Sequence, residues 1–220
     1  MKAVIIGATG ATGKQLVNQL LNNPDYTEVI VLVRREYFVP HAKMTQVIVN
    51  FNELETYKNI INGDVAFSCL GTTLKDAKTK QKQWKVDYDY QYNFAKICKQ
   101  NNIPKFVLIS AMGANSKSIF FYNKLKGALE DAVIKLNFKN LIIMQPGSLI
   151  RPDSNRLGEN FSVKLLIFLN KLGLLSKFRP LLVNDLAKAM QISVDRICTD
   201  SVVKYNLSKI YKILKNERVK

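Results

Sequence analysis

The chain has 220 residues, 47% of them apolar, and carries 33 Lys and Arg against 17 Asp and Glu, a formal charge of +16. That length fits one domain with a full core, and a charged fraction of 23% with 10% aromatics excludes disorder as the main state. The basic excess is uneven, +5 over residues 1–110 and +11 over residues 111–220, so any polyanion contact is expected in the second half.

Lys2 to Ile6 is a short run rich in β-branched residues and predicts a first strand. A glycine-rich turn follows, then a helix whose apolar positions Leu16, Val17, Leu20 and Leu21 stop at Asn22, Asn23 and Pro24. Val29 to Val33, Val47 to Val49, Val65 to Leu70, Phe106 to Ile109 and Leu141 to Met144 predict further strands. Most do not alternate, so they are expected to be buried on both faces, as in a parallel sheet. Amphipathic stretches over 53–61, 83–100 and 119–136 are long enough to cross back over that sheet. The βαβα alternation predicts an α/β fold with a doubly wound parallel sheet.

Beyond Pro146 and Gly147 the pattern changes: a polar loop from Arg151 to Asn160, an apolar helix over 161–172, and a helix starting near Asn184 and Asp185. A strand near Val202 to Tyr205 and a short basic helix end the chain. There is no internal repeat and no linker, so residues 1–220 read as one domain with a substrate-side extension over about 147–200.

Cys69, Cys98 and Cys198 lack Cys-x-x-Cys spacing and His41 is the sole histidine, so no zinc site and no disulfide framework is expected. A reducing cytoplasm is the expected compartment. The polar and glycine residues from Gly7 onward interrupt any export signal, and Phe161 to Leu175 contains Lys164, Asn170 and Lys171 and is too short to span a bilayer. No integral membrane segment is expected.

Gly7-Ala8-Thr9-Gly10-Ala11-Thr12-Gly13 joins the first strand to the first helix, where a backbone must turn sharply and let a pyrophosphate approach the helix N-terminus. A side chain at Gly10 would occupy phosphate space, and Gly13 lets the helix pack closely on the strand. A nucleoside-triphosphatase loop is excluded, because Ala8 stands five residues before Gly13 and Gln15, not Ser or Thr, follows Lys14. The second strand ends Val33-Arg34-Arg35 without a carboxylate. Two guanidinium groups there suit a 2′-phosphate, which favours NADP(H) over NAD(H). Phe51, after the third strand, is placed either beside the adenine or in the core.

Ser110 ends the fifth strand, and twelve residues later Tyr122 and Lys126 stand on one face of a helix. A cation close to a phenol favours its ionised form, and a serine beside both can hold a substrate oxygen, an arrangement suited to carbonyl reduction. Tyr-x-x-x-Lys also occurs at Tyr92/Lys96, Tyr205/Lys209 and Tyr211/Lys215, but none of these follows a serine at a strand end.

These residues resemble the atypical short-chain dehydrogenases/reductases, specifically the Tat-interacting-protein-like branch. The resemblance covers most of the chain and is carried by Gly7 to Gly13, Leu32-Val33-Arg34-Arg35, Cys69-Leu70-Gly71-Thr72-Thr73, Val86-Asp87 with Asp89-Tyr90, Ser110, Tyr122 with Lys126-Gly127 and Glu130, and Pro146-Gly147. It implies a Rossmann fold, NADPH in the cleft, and Ser110, Tyr122 and Lys126 as the catalytic set acting on a small carbonyl or alcohol. It also implies that Leu70, Gly71 and Thr72 line the cofactor and that Pro146 and Gly147 reach toward the nicotinamide. Two departures stand out: Ala111 where branch members often have a second serine, and Asp87 where related reductases often carry Asn. A cofactor-sensing regulator with little turnover is the alternative.

Lys75, Lys78, Lys80, Lys82 and Lys85 surround Trp84, a pattern shared by solvated loops and by nucleic-acid or anionic-lipid contacts. The apolar 161–172 helix is read as a lid, core or dimer contact, so monomer and homodimer both stand open.

Overall fold

The structure, a computed structural model, describes residues 1–151, 179–196 and 200–217. Seven parallel strands form one sheet in the order β3-β2-β1-β4-β5-β6-β9. They are β1 (Lys2–Ile6), β2 (Glu28–Val33), β3 (Met44–Ile48), β4 (Val65–Ser68), β5 (Lys105–Ile109), β6 (Asn140–Gln145) and β9 (Val202–Asn206). The order reverses at β1, and β1 pairs with both β2 and β4, so a crevice opens above the C-terminal ends of β1 and β4. A second, two-stranded parallel ribbon joins β7 (Leu149–Ile150) to β8 (Leu181–Leu182).

The unbroken apolar strands have two buried faces, each with its own core. On β1, Ala3 and Ile5 point into one core and Val4 and Ile6 into the other. The first core is closed by α1 (Ala11–Leu21), α6 (Val183–Asp195) and α7 (Leu207–Glu217), through residues such as Leu16, Leu186, Met190 and Ile210. Gln19 of α1 donates to Asn184 of α6 at 2.8 Å, tying the first helix to the last third of the chain. The second core is closed by α4 (Tyr90–Gln100) and α5 (Phe121–Ile134), through Phe94, Ile97, Leu129 and Val133. This is the doubly wound architecture that the alternating pattern predicts.

Several boundaries differ from expectation. β3 starts three residues earlier than expected and ends at Ile48; as an edge strand paired only with β2, its pattern includes the polar Thr45 and Gln46, which hid its start. The crossover expected over 53–61 is a 3₁₀ segment, Phe51–Tyr57, interrupted at Glu53, with Asn50 capping its start. β4 stops at Ser68, and residues 69–71 leave the sheet toward the crevice. The helix expected over 83–100 begins earlier, at α3 (Lys80–Trp84), and passes through a π turn (Lys85–Asp89) before α4; a short α2 (Leu74–Ala77) precedes it. The apolar 161–172 helix, most of the Arg151 to Asn160 loop and Cys198 lie outside the described residues.

Candidate active site

The turn after β1 is built from glycines for two distinct steric reasons. Gly7 has φ +73°, and a Cβ there would lie 2.4 Å from the Cys69 carbonyl carbon and the Leu70 nitrogen. A Cβ at Gly13 would lie 2.1 Å from the Gly7 carbonyl oxygen, so its absence lets α1 start hard against β1. Gly10 is different: a Cβ there would meet only the Gly7 oxygen at 3.2 Å and the Cys69 oxygen at 4.0 Å. Gly10 is the N-cap of α1 and provides no side-chain cap, and the first turn contains no acid, so the leading amides of α1 are left to an outside acceptor. The residues fit a pyrophosphate.

Two adjoining clefts share Gly10, Cys69, Leu70, Gly71 and Thr72 and form one groove. The smaller part, about 240 Å³, runs from Gly7 and Thr9 past Leu32 and Arg34 to Phe51 and Tyr90. Phe51 is buried and its ring lies 5.5 Å from that of Tyr90, so it serves both the core and the groove wall. The larger part, about 780 Å³, runs over Ala11 and Thr12 to Ser110, Tyr122, Lys126, Pro146 and Gly147. The structure thus brings together every residue expected at the site except two. Gly13 is buried behind the turn, and Arg35 is exposed, outside the groove lining, next to Arg34.

Tyr122, Lys126 and Glu130 stand at successive turns of α5 and descend from the cleft into the interior. Tyr122 is 42% exposed and faces the larger cleft. The Lys126 ammonium is buried and lies 3.5 Å from Asp87 Oδ1, itself fully buried in the π turn. Asp87 also accepts from the Thr72 amide at 3.2 Å, which pins the 69–73 segment over the groove. Burial pushes the Asp87 carboxyl above its ordinary range, opposed chiefly by the Lys126 charge and next by the Thr72 amide.

Glu130, one turn below Lys126, accepts from the Ser110 hydroxyl, from Gln145 Nε2 at 2.8 Å and from Lys204 Nζ at 2.6 Å. A hydroxyl has one proton to donate, so Ser110 turns its lone pairs to the cleft. Gln145 and Lys204 escaped sequence reasoning, and Asp87 and Glu130 entered it only through the resemblance. The one local signal for Glu130 is its i+4 spacing from Lys126. Burial pushes the Cys69 thiol up to about 12, so this cysteine at the groove is no ready nucleophile. Among the described residues no group of His, Cys, Asp and Glu gathers to hold a metal ion, and no helix is long and apolar enough to cross a membrane.

Residues 7–156 match the family model described as NAD(P)H-binding. Among curated proteins, "Protein FMP52-1, mitochondrial" of Scheffersomyces stipitis is 32% identical over 97% of this chain and its own full length. "Protein FMP52, mitochondrial" of Eremothecium gossypii is also 32% identical, over 89% of this chain and 91% of its own. HTATIP2 of Rattus norvegicus is 35% identical over 66% of this chain and 62% of its own length. Among solved structures, a UDP-N-acetylglucosamine 4-epimerase from Methanobrevibacter ruminantium superposes with a TM-score of 0.71 at 15% identity, covering 97% of this chain and 80% of that one. The Bordetella bronchiseptica enzyme WbmH in complex with NAD+ gives 0.69 at 17%, covering 97% and 79%, a likeness of fold.

The FMP52 relatives are named mitochondrial, and that finding overturns the expectation of a cytoplasmic protein. The expectation rested on sparse, unpaired cysteines, which signal a reducing compartment without saying which one. The chain belongs to the NAD(P)H-binding family, has a Rossmann fold and is homologous to HTATIP2.

Proposed function

We propose that this protein is an NADPH-dependent dehydrogenase/reductase that moves a hydride between the nicotinamide and a carbonyl or alcohol carbon, and that it works in mitochondria. The observation that carries the reading is the single groove that runs from Arg34 past the uncapped start of α1 to Ser110, Tyr122 and Lys126. Gly7, Thr9, Gly10, Ala11 and Thr12 would hold the pyrophosphate, Arg34 the 2′-phosphate with Arg35 beside it, and Phe51 the adenine. Leu70, Gly71, Thr72, Lys126, Pro146 and Gly147 would flank the remainder. When bound, the cofactor supplies or accepts the hydride.

Tyr122 gives its phenolic proton to the carbonyl oxygen, or takes the alcohol proton in reverse, as the acid/base facing the cleft. Lys126 holds positive charge one turn below it, shared with Asp87. Ser110, with its proton engaged by Glu130, receives an alcohol hydroxyl without rearrangement; to donate to a carbonyl it must turn away from Glu130. The test is NADPH oxidation over a panel of aldehydes and ketones, and NADP+ reduction over the matching alcohols, by wild type and Tyr122→Phe. Loss of at least a hundredfold in Tyr122→Phe is expected, the low end of general acid–base contributions. Equal rates would remove Tyr122 from the chemistry.

A second reading is favoured by one observation: both the Ser110 proton and the Lys126 charge are engaged by buried carboxylates. On that reading the protein senses the NADP(H) ratio and turns over little. Tight NADPH binding with no turnover on any panel, together with a partner whose affinity changes with cofactor, would support it over the enzyme.

A further inference from the structure

The cleft that Tyr122 lines is also lined by three cations, Lys80, Lys126 and Arg151. Lys80, at the start of α3, lines this cleft, and its Nζ lies 5.5 Å from the centre of the Phe121 ring, the residue next to Tyr122. Arg151 lines the same cleft as the residue just past β7, the strand that follows Pro146 and Gly147. Both cations therefore belong to the end of the groove where Tyr122 and Pro146 stand, away from Arg34 and Phe51 at the other end.

Lys126, the third cation of the cleft, is paired with Asp87, whereas among the described residues neither Lys80 nor Arg151 is in an ion pair. Asp76, the acid that lines this cleft, is already engaged, accepting from Thr73 Oγ1 at 2.8 Å. The same cleft is lined by Met112 and Leu74, 40% and 46% exposed, and by Phe121 and Leu149. Partly exposed apolar side chains sharing a cleft with two cations that make no ion pair among the described residues complement a ligand with an apolar body and an anionic end.

Resting on the oxidoreductase reading above, we propose that the substrate is a carbonyl compound or alcohol bearing a carboxylate or phosphate, held at that end by Lys80 and Arg151 while Met112, Phe121 and Leu149 cover its apolar body. Arg151 supplies a forked contact and Lys80 a mobile point charge, a pair that accepts either anion.

The experiment compares 4-formylbenzoate and 4-formylphenyl phosphate with their neutral counterparts, methyl 4-formylbenzoate and 4-methoxybenzaldehyde. Each is titrated by calorimetry into the protein saturated with NADP+, which cannot reduce an aldehyde, so binding is read without turnover. KM values with NADPH are measured alongside. At least one anionic probe is expected to bind tenfold or more tighter than its neutral partner, and the stronger of the two identifies the anion. Lys80→Ala with Arg151→Ala is expected to bring that ratio close to one, with an NADPH affinity that shows the cofactor end is intact. Equal binding of anionic and neutral probes by wild type, or a preference that survives in the double variant, overturns the proposal. Probes that bind as expected but are never reduced would overturn the enzyme reading and leave the anion site standing.

Discussion

Gly10 and Gly13 lie three residues apart in the same turn, yet a Cβ would meet different surroundings at each, and replacing each by alanine separates the proposed phosphate contact from helix packing. At Gly13 a Cβ would sit 2.1 Å from the Gly7 carbonyl oxygen and 2.9 Å from the Ala8 Cα, both backbone atoms, so α1 must move off β1 by more than an ångström. Overpacking against immobile neighbours costs about 3 kcal/mol, the upper end of the usual range. For a domain of this size that lowers Tm by roughly 6–12 °C. At Gly10 the backbone is extended, with φ −75° and ψ 169°, which alanine adopts freely, and its closest new contact is the Gly7 oxygen at 3.2 Å. The small loss from a poorer N-cap and the small gain from a stiffer unfolded chain oppose each other, so Gly10→Ala is expected within about 1 kcal/mol of wild type. Its methyl group instead intrudes where the pyrophosphate would meet the α1 amides. NADPH affinity, read by fluorescence titration, is expected to fall at least tenfold, about 1.4 kcal/mol. A stable Gly10→Ala protein that binds NADPH like wild type would refute the phosphate assignment, and an undiminished Tm in Gly13→Ala would refute the packing argument.

Further outcomes follow from the charges. Arg34→Ala is expected to weaken NADPH tenfold or more and to spare NADH, whereas Arg35→Ala, outside the groove lining, has a smaller effect; tighter NADH than NADPH binding by wild type would reverse the cofactor assignment. Asp87→Ala leaves the buried Lys126 ammonium and the Thr72 amide without an acceptor and is expected to cost about 3 kcal/mol in urea unfolding, while Asp87→Leu with Lys126→Met recovers much of it. Because burial raises the Asp87 carboxyl, the folded protein holds that proton more tightly than the unfolded chain does. The contribution of Asp87 to stability is therefore complete below the ordinary carboxylate value and is lost as pH rises through the native one. Wild type should lose stability relative to Asp87→Asn as pH rises from the ordinary carboxylate value through the higher native one, and parallel curves would show that Asp87 titrates normally. Glu130→Ala strips acceptors from Ser110, Gln145 and Lys204 and is expected to cost about 3 kcal/mol by the same measurement; a cost below about 1 kcal/mol would mean solvent replaces the carboxylate.

The parts of this molecule that were legible in its sequence are those whose cause is local. Unbroken β-branched runs report strands with two covered faces, and β1, β2, β5 and β6, each paired on both sides, lie within a residue of where the pattern puts them, while β4 stops two residues short. β3 pairs on one side only, and there the pattern misled by three residues. The glycine turn was readable because a left-handed φ at Gly7 and a zero-clearance contact at Gly13 each demand the one residue without a Cβ. Tyr122 and Lys126 were readable because a helix sets neighbours four residues apart.

What was hidden is the layer beneath those two residues, and the reason is distance along the chain. Lys126 meets Asp87 across 39 residues, Glu130 meets Ser110 across 20 and Lys204 across 74, and no periodicity encodes such pairs. Yet this layer decides what the legible residues can do. A lone buried lysine would bring a full positive charge up to Tyr122, but one shared with a buried carboxylate brings less. A serine with a free proton would polarise a carbonyl, but one whose proton goes to the Glu130 side chain presents lone pairs and suits an alcohol. On the proposed reading, both buried carboxyl groups would shift the resting site in the same sense, toward a bound alcohol and away from a polarised carbonyl. If that holds, a non-reactive alcohol should bind the NADPH-loaded wild type more tightly, relative to its ketone in the NADP+-loaded form, than it binds Glu130→Gln. A ratio untouched by that change would mean Ser110 rotates freely and the carboxylate beneath it serves stability alone.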